Sequence, residues 1–270
     1  MDMVSFPIIS LLLGVGIGVG FLSGLLGIAG GVILIPVLLK IENLMGIPPD
    51  IAVKMAFGSS LLTGFFTSLS GSIQQWKNHN ICWRDAIWLS VSGALGAQLG
   101  SSISSYLSGA VLKPLFGVAA LLAAFVLLFR SHLYEKNEPR HISAFLLFCI
   151  GGLIGSLSSL VGIGGGIMLI PFLVILLAYP AHLAAGTSGA VIPLIAVSGT
   201  TGYIIHGCSV ENLPPFSLGY VNFFFVLCVS ATSIMIAPWG AKVATKIRGT
   251  WLNLCFSGLL IWVALKMFGI

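Results

Sequence analysis

The sequence predicts an all-α polytopic membrane protein made of two homologous halves of about five helical segments each, and three observations carry that prediction. Of its 270 residues, 57% are apolar and only 7% are charged, against roughly a quarter charged in a soluble domain. Apolar runs follow one another with short polar connections. At ~20 residues per crossing they leave room for about eight to ten spans and almost none for an extramembrane domain. Finally, the chain repeats itself. At an offset of 135, the stretch from Gly20 to Pro36 matches Gly155 to Pro171 at eleven of 17 positions. Gly58-Ser59-Ser60 meets Gly186-Thr187-Ser188 and Ser70-Gly71 meets Ser198-Gly199 at an offset of 128, and Ala97 to Gly100 meets Ala237 to Gly240 at 140. The changes of offset fall in loops, at Ile41 to Asp50 and at Gly207 to Pro215. The halves are residues 1–130 and 141–270, joined by a charged linker at 131–140. Such duplication is a common construction for secondary transporters.

In order along the chain, the first half gives apolar segments at about 6–28, 31–40, 49–76, 85–106 and 110–130, and the second at about 141–163, 165–178, 181–206, 216–240 and 249–268. Residues 7–39 are one apolar run, but a single helix of that length would reach ~50 Å, too long for a bilayer. Consecutive glycines weaken helix and permit left-handed backbone, so the break is placed at Gly27 to Gly31 and its twin at Gly162 to Gly166.

The net charge of +5 does not indicate nucleic acid, because the twelve Lys and Arg are scattered singly. They mark topology instead. Four crossings per half divide them six against six. Five gather Lys77, Arg84, Arg130, Lys136, Arg140, Lys242, Lys246 and Arg248 on one side and leave Lys40, Lys54, Lys113 and Lys266 on the other. Homologous loops carry opposite charge bias, so the expectation is an inverted repeat with an odd number of crossings per half. The run from Phe6 outlasts a signal-peptide core and no positive segment precedes it, so it reads as the first membrane element. The five cysteines, Cys82, Cys149, Cys208, Cys228 and Cys255, show no C-x-x-C spacing and read as small buried hydrophobes.

Broken helices expose unpaired N–H groups and the positive ends of helix dipoles, which lets a membrane protein hold an anion without burying many full charges. The glycines Gly27, Gly30, Gly31, Gly162, Gly164, Gly165 and Gly166 are therefore candidate substrate-binding positions, with the hydroxyls of Ser59, Ser60, Thr187 and Ser188 as added donors. Small residues also serve close helix packing, the reading favoured for isolated ones such as Gly14 and Ser92. Lys54 and its twin His182 could attract an anion, while Lys54 could equally snorkel beside Asp50. Gln75 and His206, at the far ends of the long segments, are candidates for the pathway. All seven carboxylates, Glu42 and Asp85 among them, read as loop or segment-end residues, so no carboxylate relay or cation cage is expected at mid-membrane.

The duplicated Gly27-Ile-Ala-Gly-Gly and Gly162-Ile-Gly-Gly-Gly motifs, each leading into Ile-Pro, with Ala56-Phe-Gly-Ser-Ser60 and Ala185-Gly-Thr-Ser188 after them, resemble the sulfite exporter TauE/SafE family of membrane anion permeases. The resemblance covers nearly the whole chain. It implies a secondary transporter of the cytoplasmic (cell inner) membrane, exporting small sulfur-containing or organic anions such as sulfite, sulfonates or sulfoacetate. Its partners would be that anion and the lipid bilayer, with no cofactor, metal or nucleic acid. Two rivals were weighed. An intramembrane serine protease would use the G-x-S-G at Gly186 to Gly189, but His206 lies ~27 Å along the helix from Ser188 and His182 is off its face. A scaffold would need no glycine pairs in both halves. No nucleotide-binding G-x-x-x-x-G-K-[ST] loop is present.

Overall fold

A computed structural model describes residues 6–27, 30–129, 142–210, 213–244 and 249–268, with side chains at 127, 129, 181, 244 and 249–256 left aside. The charged linker at 131–140, the cations Arg130, Lys136, Arg140, Lys246 and Arg248, and the side chain of Cys255 lie outside that description. Among the described residues the fold is all-α and polytopic: α1 (Phe6–Leu26), α2 (Gly31–Leu44), α3 (Pro49–Lys77), α4 (Trp83–Tyr106), α5 (Gly109–Phe129), α6 (Ala144–Leu160), α7 (Gly166–Ile175), α8 (Ala181–Gly207), α9 (Phe223–Ala244) and α10 (Gly249–Met267). By length and composition α1, α3, α5, α8 and α9 each suffice to cross a membrane. The expected start of a segment at 216 is corrected. Residues 217–222 form a two-stranded hairpin, β1 (Ser217–Leu218) with β2 (Val221–Asn222), turning at Gly219. The Asn222 side chain then accepts from Phe225 N at 3.2 Å, so α9 begins behind a cap rather than at the first apolar residue.

Along α4 the packing is inside-out relative to a soluble bundle. On α4 the large residues Ile87, Val91, Leu95, Leu99 and Ile103, four apart, face outward, while Ser92, Gly93, Gly96, Ala97, Gly100 and Ser101 are buried. Lipid tails are as apolar as leucine, so small residues that let backbones approach belong between helices. The same rule corrects the cysteines: Cys149 and Cys208 are exposed and Cys82 and Cys228 half-buried, because the outer surface here is as apolar as the core.

Contacts fix the direction of each helix. Along α1, Gly16, Gly20 and Gly24 meet Val229, Ser233 and Ala237 of α9 in step, so these helices are parallel. On α6, Gly151 and Gly155 meet Leu89 and Gly93 of α4 in the same step. Ser70 Oγ donates to the Ile234 carbonyl at 2.7 Å, and Thr67 Oγ1 lies 2.8 Å from Ser233 Oγ, aligning α3 with α9. Ser198 Oγ donates to the Ala94 carbonyl at 2.6 Å, and Gln98 Nε2 donates to Thr201 Oγ1 at 2.6 Å, aligning α4 with α8. Across the centre, Gly58 faces Tyr203 and Leu61 faces Gly199, so α3 and α8 are antiparallel. Helices α1, α3 and α9 thus run one way and α4, α6 and α8 the other. Lys77, ending α3, and Lys242, near the end of α9, point to the same end of the bundle.

Tyr203 locks this centre. It is fully buried, and its hydroxyl lies 2.7 Å from Ser104 Oγ and donates to the Ser159 carbonyl at 3.0 Å, tying α8 to α4 and α6. Tyr203→Phe is expected to cost about 1–3 kcal/mol, the price of leaving buried polar groups without their partner. The check is a lowered unfolding temperature in detergent.

Candidate functional site

Helices α1 and α6 both end in a left-handed glycine, Gly27 at φ +67° and Gly162 at φ +70°. Gly27 N donates to the Ser23 carbonyl at 2.9 Å and Gly162 N to the Ser159 carbonyl at 3.2 Å, which closes the helix ends as C′ glycines do. Each glycine then abuts the opposite half. A Cβ built on Gly162 would fall 2.6 Å from Phe57 Cα, and one on Gly27 would fall 2.8 Å from Ala185 Cα. Phe57 and Ala185 are themselves matched at the 128 offset, so the two breaks lock into each other's halves reciprocally.

Past the breaks, α2 starts at Gly31 behind Gly30, and α7 starts at Gly166 behind Gly164 and Gly165, both at positive φ. The first amides of each helix have no intrahelical acceptor. The start of α2 meets the turn before α7: a Cβ on Gly31 would lie 2.6 Å from Ser60 Oγ, 3.2 Å from the Gly162 carbonyl oxygen and 3.4 Å from Ile163 Cα. Ser60 is 2% exposed and its hydroxyl has no hydrogen-bond partner among the described residues. Its twin Ser188 donates to the Gly27 carbonyl at 3.0 Å. Ser59 and Thr187 have matched tasks. Ser59 Oγ accepts from Asn222 N at 2.9 Å and Thr187 Oγ1 from Cys82 N at 3.1 Å, each hydroxyl holding the lead-in to a helix of the other half.

The family's sequence profile, described as sulfite exporter TauE/SafE, matches residues 12–267. The chain belongs to the TauE/SafE family. Among its relatives, a probable membrane transporter protein of Methanocaldococcus jannaschii is 32% identical over 254 residues, covering 94% of this chain and 92% of the relative. Another from Haemophilus influenzae is 31% identical over 272 residues, covering 97% and 99%. The probable membrane transporter protein YunE of Bacillus subtilis is 23% identical, covering 86% and 87%. No solved structure matches the chain. The protein is therefore a multi-pass membrane transporter of the TauE/SafE family.

Within this TauE/SafE chain Gly31, Ser60 and Gly162 meet and Ser188 reaches Gly27, whereas Ser59 and Thr187 hold helix approaches and the four candidates for attraction or pathway lie elsewhere. Lys54 Nζ donates to the Ser105 carbonyl at the end of α4, at 2.6 Å, and stands 5.5 Å from the centre of the Tyr220 ring. His182 is exposed at the start of α8. Gln75 Oε1 accepts from Asn80 Nδ2 at 2.9 Å and so holds the turn into α4. His206 Nδ1 lies 2.8 Å from the Gly202 carbonyl oxygen, on its own helix. Sequence reasoning missed Ser158, a buried hydroxyl without a partner among the described residues, 3.7 Å from where a Gly165 Cβ would stand. The signal was available, since Ser158 matches Ser23 at the 135 offset. Two carboxylates at segment ends are buried, which the sequence did not indicate. Glu42 lies inside α2, fully buried, because α2 continues through the stretch read as loop. Asp85, in the first turn of α4, is 1% exposed and accepts from the Tyr179 hydroxyl at 2.5 Å. Burial and this bond hold the Tyr179 hydroxyl well above the ordinary tyrosine range.

Proposed function

We propose that the chain is a secondary transporter that exports small sulfur-containing or organic anions, with sulfite and sulfonates foremost, across the cytoplasmic membrane. In this reading residues 1–130 and 141–270 form an inverted repeat, a description favoured by the antiparallel run of α3 and α8, and they alternate access to one site near mid-depth. The observation that carries the anion is Ser60. A buried hydroxyl without a partner among the described residues, beside the first turn of α2, offers one O–H at a helix start, where the leading amides lack intrahelical acceptors and the helix dipole is positive. Ser158 beside Gly165 repeats the arrangement at α7. The chain works as a carrier rather than an enzyme: Ser188, the serine of the G-x-S-G, donates to the Gly27 carbonyl, while His206 stays on its own helix.

A thermal-stabilisation screen of purified protein tests the reading, with sulfite, thiosulfate, methanesulfonate, sulfoacetate and acetate against sodium chloride. A ligand of the folded state at 100 times its Kd adds about 2.7 kcal/mol of apparent stability, and at least one sulfur oxyanion is expected to do so. Stabilisation by a cation or a neutral solute alone would overturn it.

A further inference from the structure

We propose that Glu42 is a proton-binding site and that a proton crosses together with the anion. This rests on the anion-carrier reading above but not on its direction: an inward proton gradient drives such cotransport inward, and outward flow is driven by the anion's own gradient. Glu42 is 0% exposed and neither carboxyl oxygen meets a hydrogen-bond donor among the described residues. It sits among the core residues Leu38, Leu39 and Ile41 of its own helix. An ionised carboxylate without partner or solvent is strongly disfavoured in such a place, and the last turn of a helix presents its negative end. The packing seen here therefore holds the neutral acid.

Among the described residues, the charged groups on the neighbouring elements are engaged elsewhere, distant or exposed. On α3, Lys54 is held by Ser105 and the Tyr220 ring, Asp50 accepts from Gly109 N at 2.6 Å, and Lys77 is at the far end. On α10, Lys266 Nζ stands 5.0 Å from the centre of the Trp262 ring. α1 carries no titratable side chain. On α2 itself Lys40 is exposed. At either offset, 135 or 128, the position opposite Glu42 is apolar and buried, Leu177 or Ile170, so the proton site belongs to one half only.

Coupling follows from both charges riding on one short helix. Gly31, packed against Ser60, opens α2, and Glu42 lies in its last turn, about 16 Å away at 1.5 Å per residue. An anion at one end with an ionised Glu42 at the other would bury two negative charges without a counter-ion. A proton on the carboxylate removes one of them, so the loaded, closed packing takes up H⁺ with the anion. The next residues, Asn43 and Leu44, are exposed, so a small opening of this turn brings water to the carboxyl and lets the proton leave.

Proteoliposomes separate the possibilities, with radiolabelled methanesulfonate as the probe because it stays ionised throughout the working pH range and cannot carry the proton itself. In the wild type, an imposed pH gradient is expected to drive accumulation against the concentration gradient. In Glu42→Gln, exchange between methanesulfonate-loaded vesicles and external label stays within twofold of wild type, while gradient-driven accumulation falls at least tenfold. Glu42→Leu, which copies the residue at the 135 offset, gives the same split and guards against a folding fault of the first variant. Accumulation undiminished in either variant overturns the proton site and leaves the anion reading standing. Absence of methanesulfonate exchange in the wild type, with no stabilisation by the anions screened above, overturns both.

Discussion

Gly162→Ala is expected to destabilise the fold severely. Two costs add. Alanine at φ +70° carries roughly 1–2 kcal/mol of backbone strain, and its Cβ would arrive 2.6 Å from both Cα and Cβ of Phe57. That neighbour is part of helix α3 and cannot swing aside, so overpacking adds about 1–3 kcal/mol. The sum, roughly 2–5 kcal/mol, is a large part of the ~5–15 kcal/mol of a typical fold. Monodisperse yield in detergent and the unfolding temperature are the readouts, and the control is Gly14→Ala. A Cβ at Gly14 meets nothing within 4 Å, so that variant should hold or gain stability, up to about 1 kcal/mol from the better helix former. Equal behaviour of the two variants would mean that the reciprocal lock between halves does not bear on stability.

The second large effect falls on flux rather than stability. Ser60→Ala removes a buried hydroxyl without a partner, a change that leaves stability level or slightly higher. If that hydroxyl donates to a bound anion, its loss costs about 1.5–3 kcal/mol of binding, roughly 10- to 150-fold in affinity. Gly31→Ala should imitate it. Its Cβ would lie 2.6 Å from Ser60 Oγ, a side-chain atom that can rotate away, so the cost is displacement of the donor rather than of backbone. Ser188→Ala behaves differently: it forfeits the bond to the Gly27 carbonyl and should lower stability by about 0.5–1.5 kcal/mol. Anion-dependent stabilisation and vesicle flux, measured side by side, distinguish the two serines. Unchanged anion affinity in Ser60→Ala would remove Ser60 from the site.

Much of this was legible in the residues because membrane helices are bounded by strong local rules. The break in the run from Phe6 was placed by helix length and glycine, and α1 indeed ends at Leu26 with α2 opening at Gly31. What one-dimensional reading could not reach was partnership across the halves. Nothing local says that Gly27 rests on Ala185, or that Ser59 and Thr187 hold the approaches to α9 and α4; those contacts join residues more than 100 positions apart. Glu42 was misjudged for a different reason. A charged residue near a segment end is ordinarily solvated, and only the wrapping of neighbouring helices around α2 shows that this one is not. Lys54 was recognised as costly, but which carbonyl would receive it depends on where α4 ends.

The glycine face of α1 has a consequence for the order in which the molecule is made. Gly16, Gly20 and Gly24 are made about 200 residues before the surface they fit, from Val229 to Ala237. At ~5–20 residues per second that interval is roughly 10–40 s, during which α1 lies in lipid with its grooved side uncovered. Helices α4 and α6, whose contact has the same form, are separated by far less chain. The nascent protein thus holds both sides of one seam long before it holds both sides of the other.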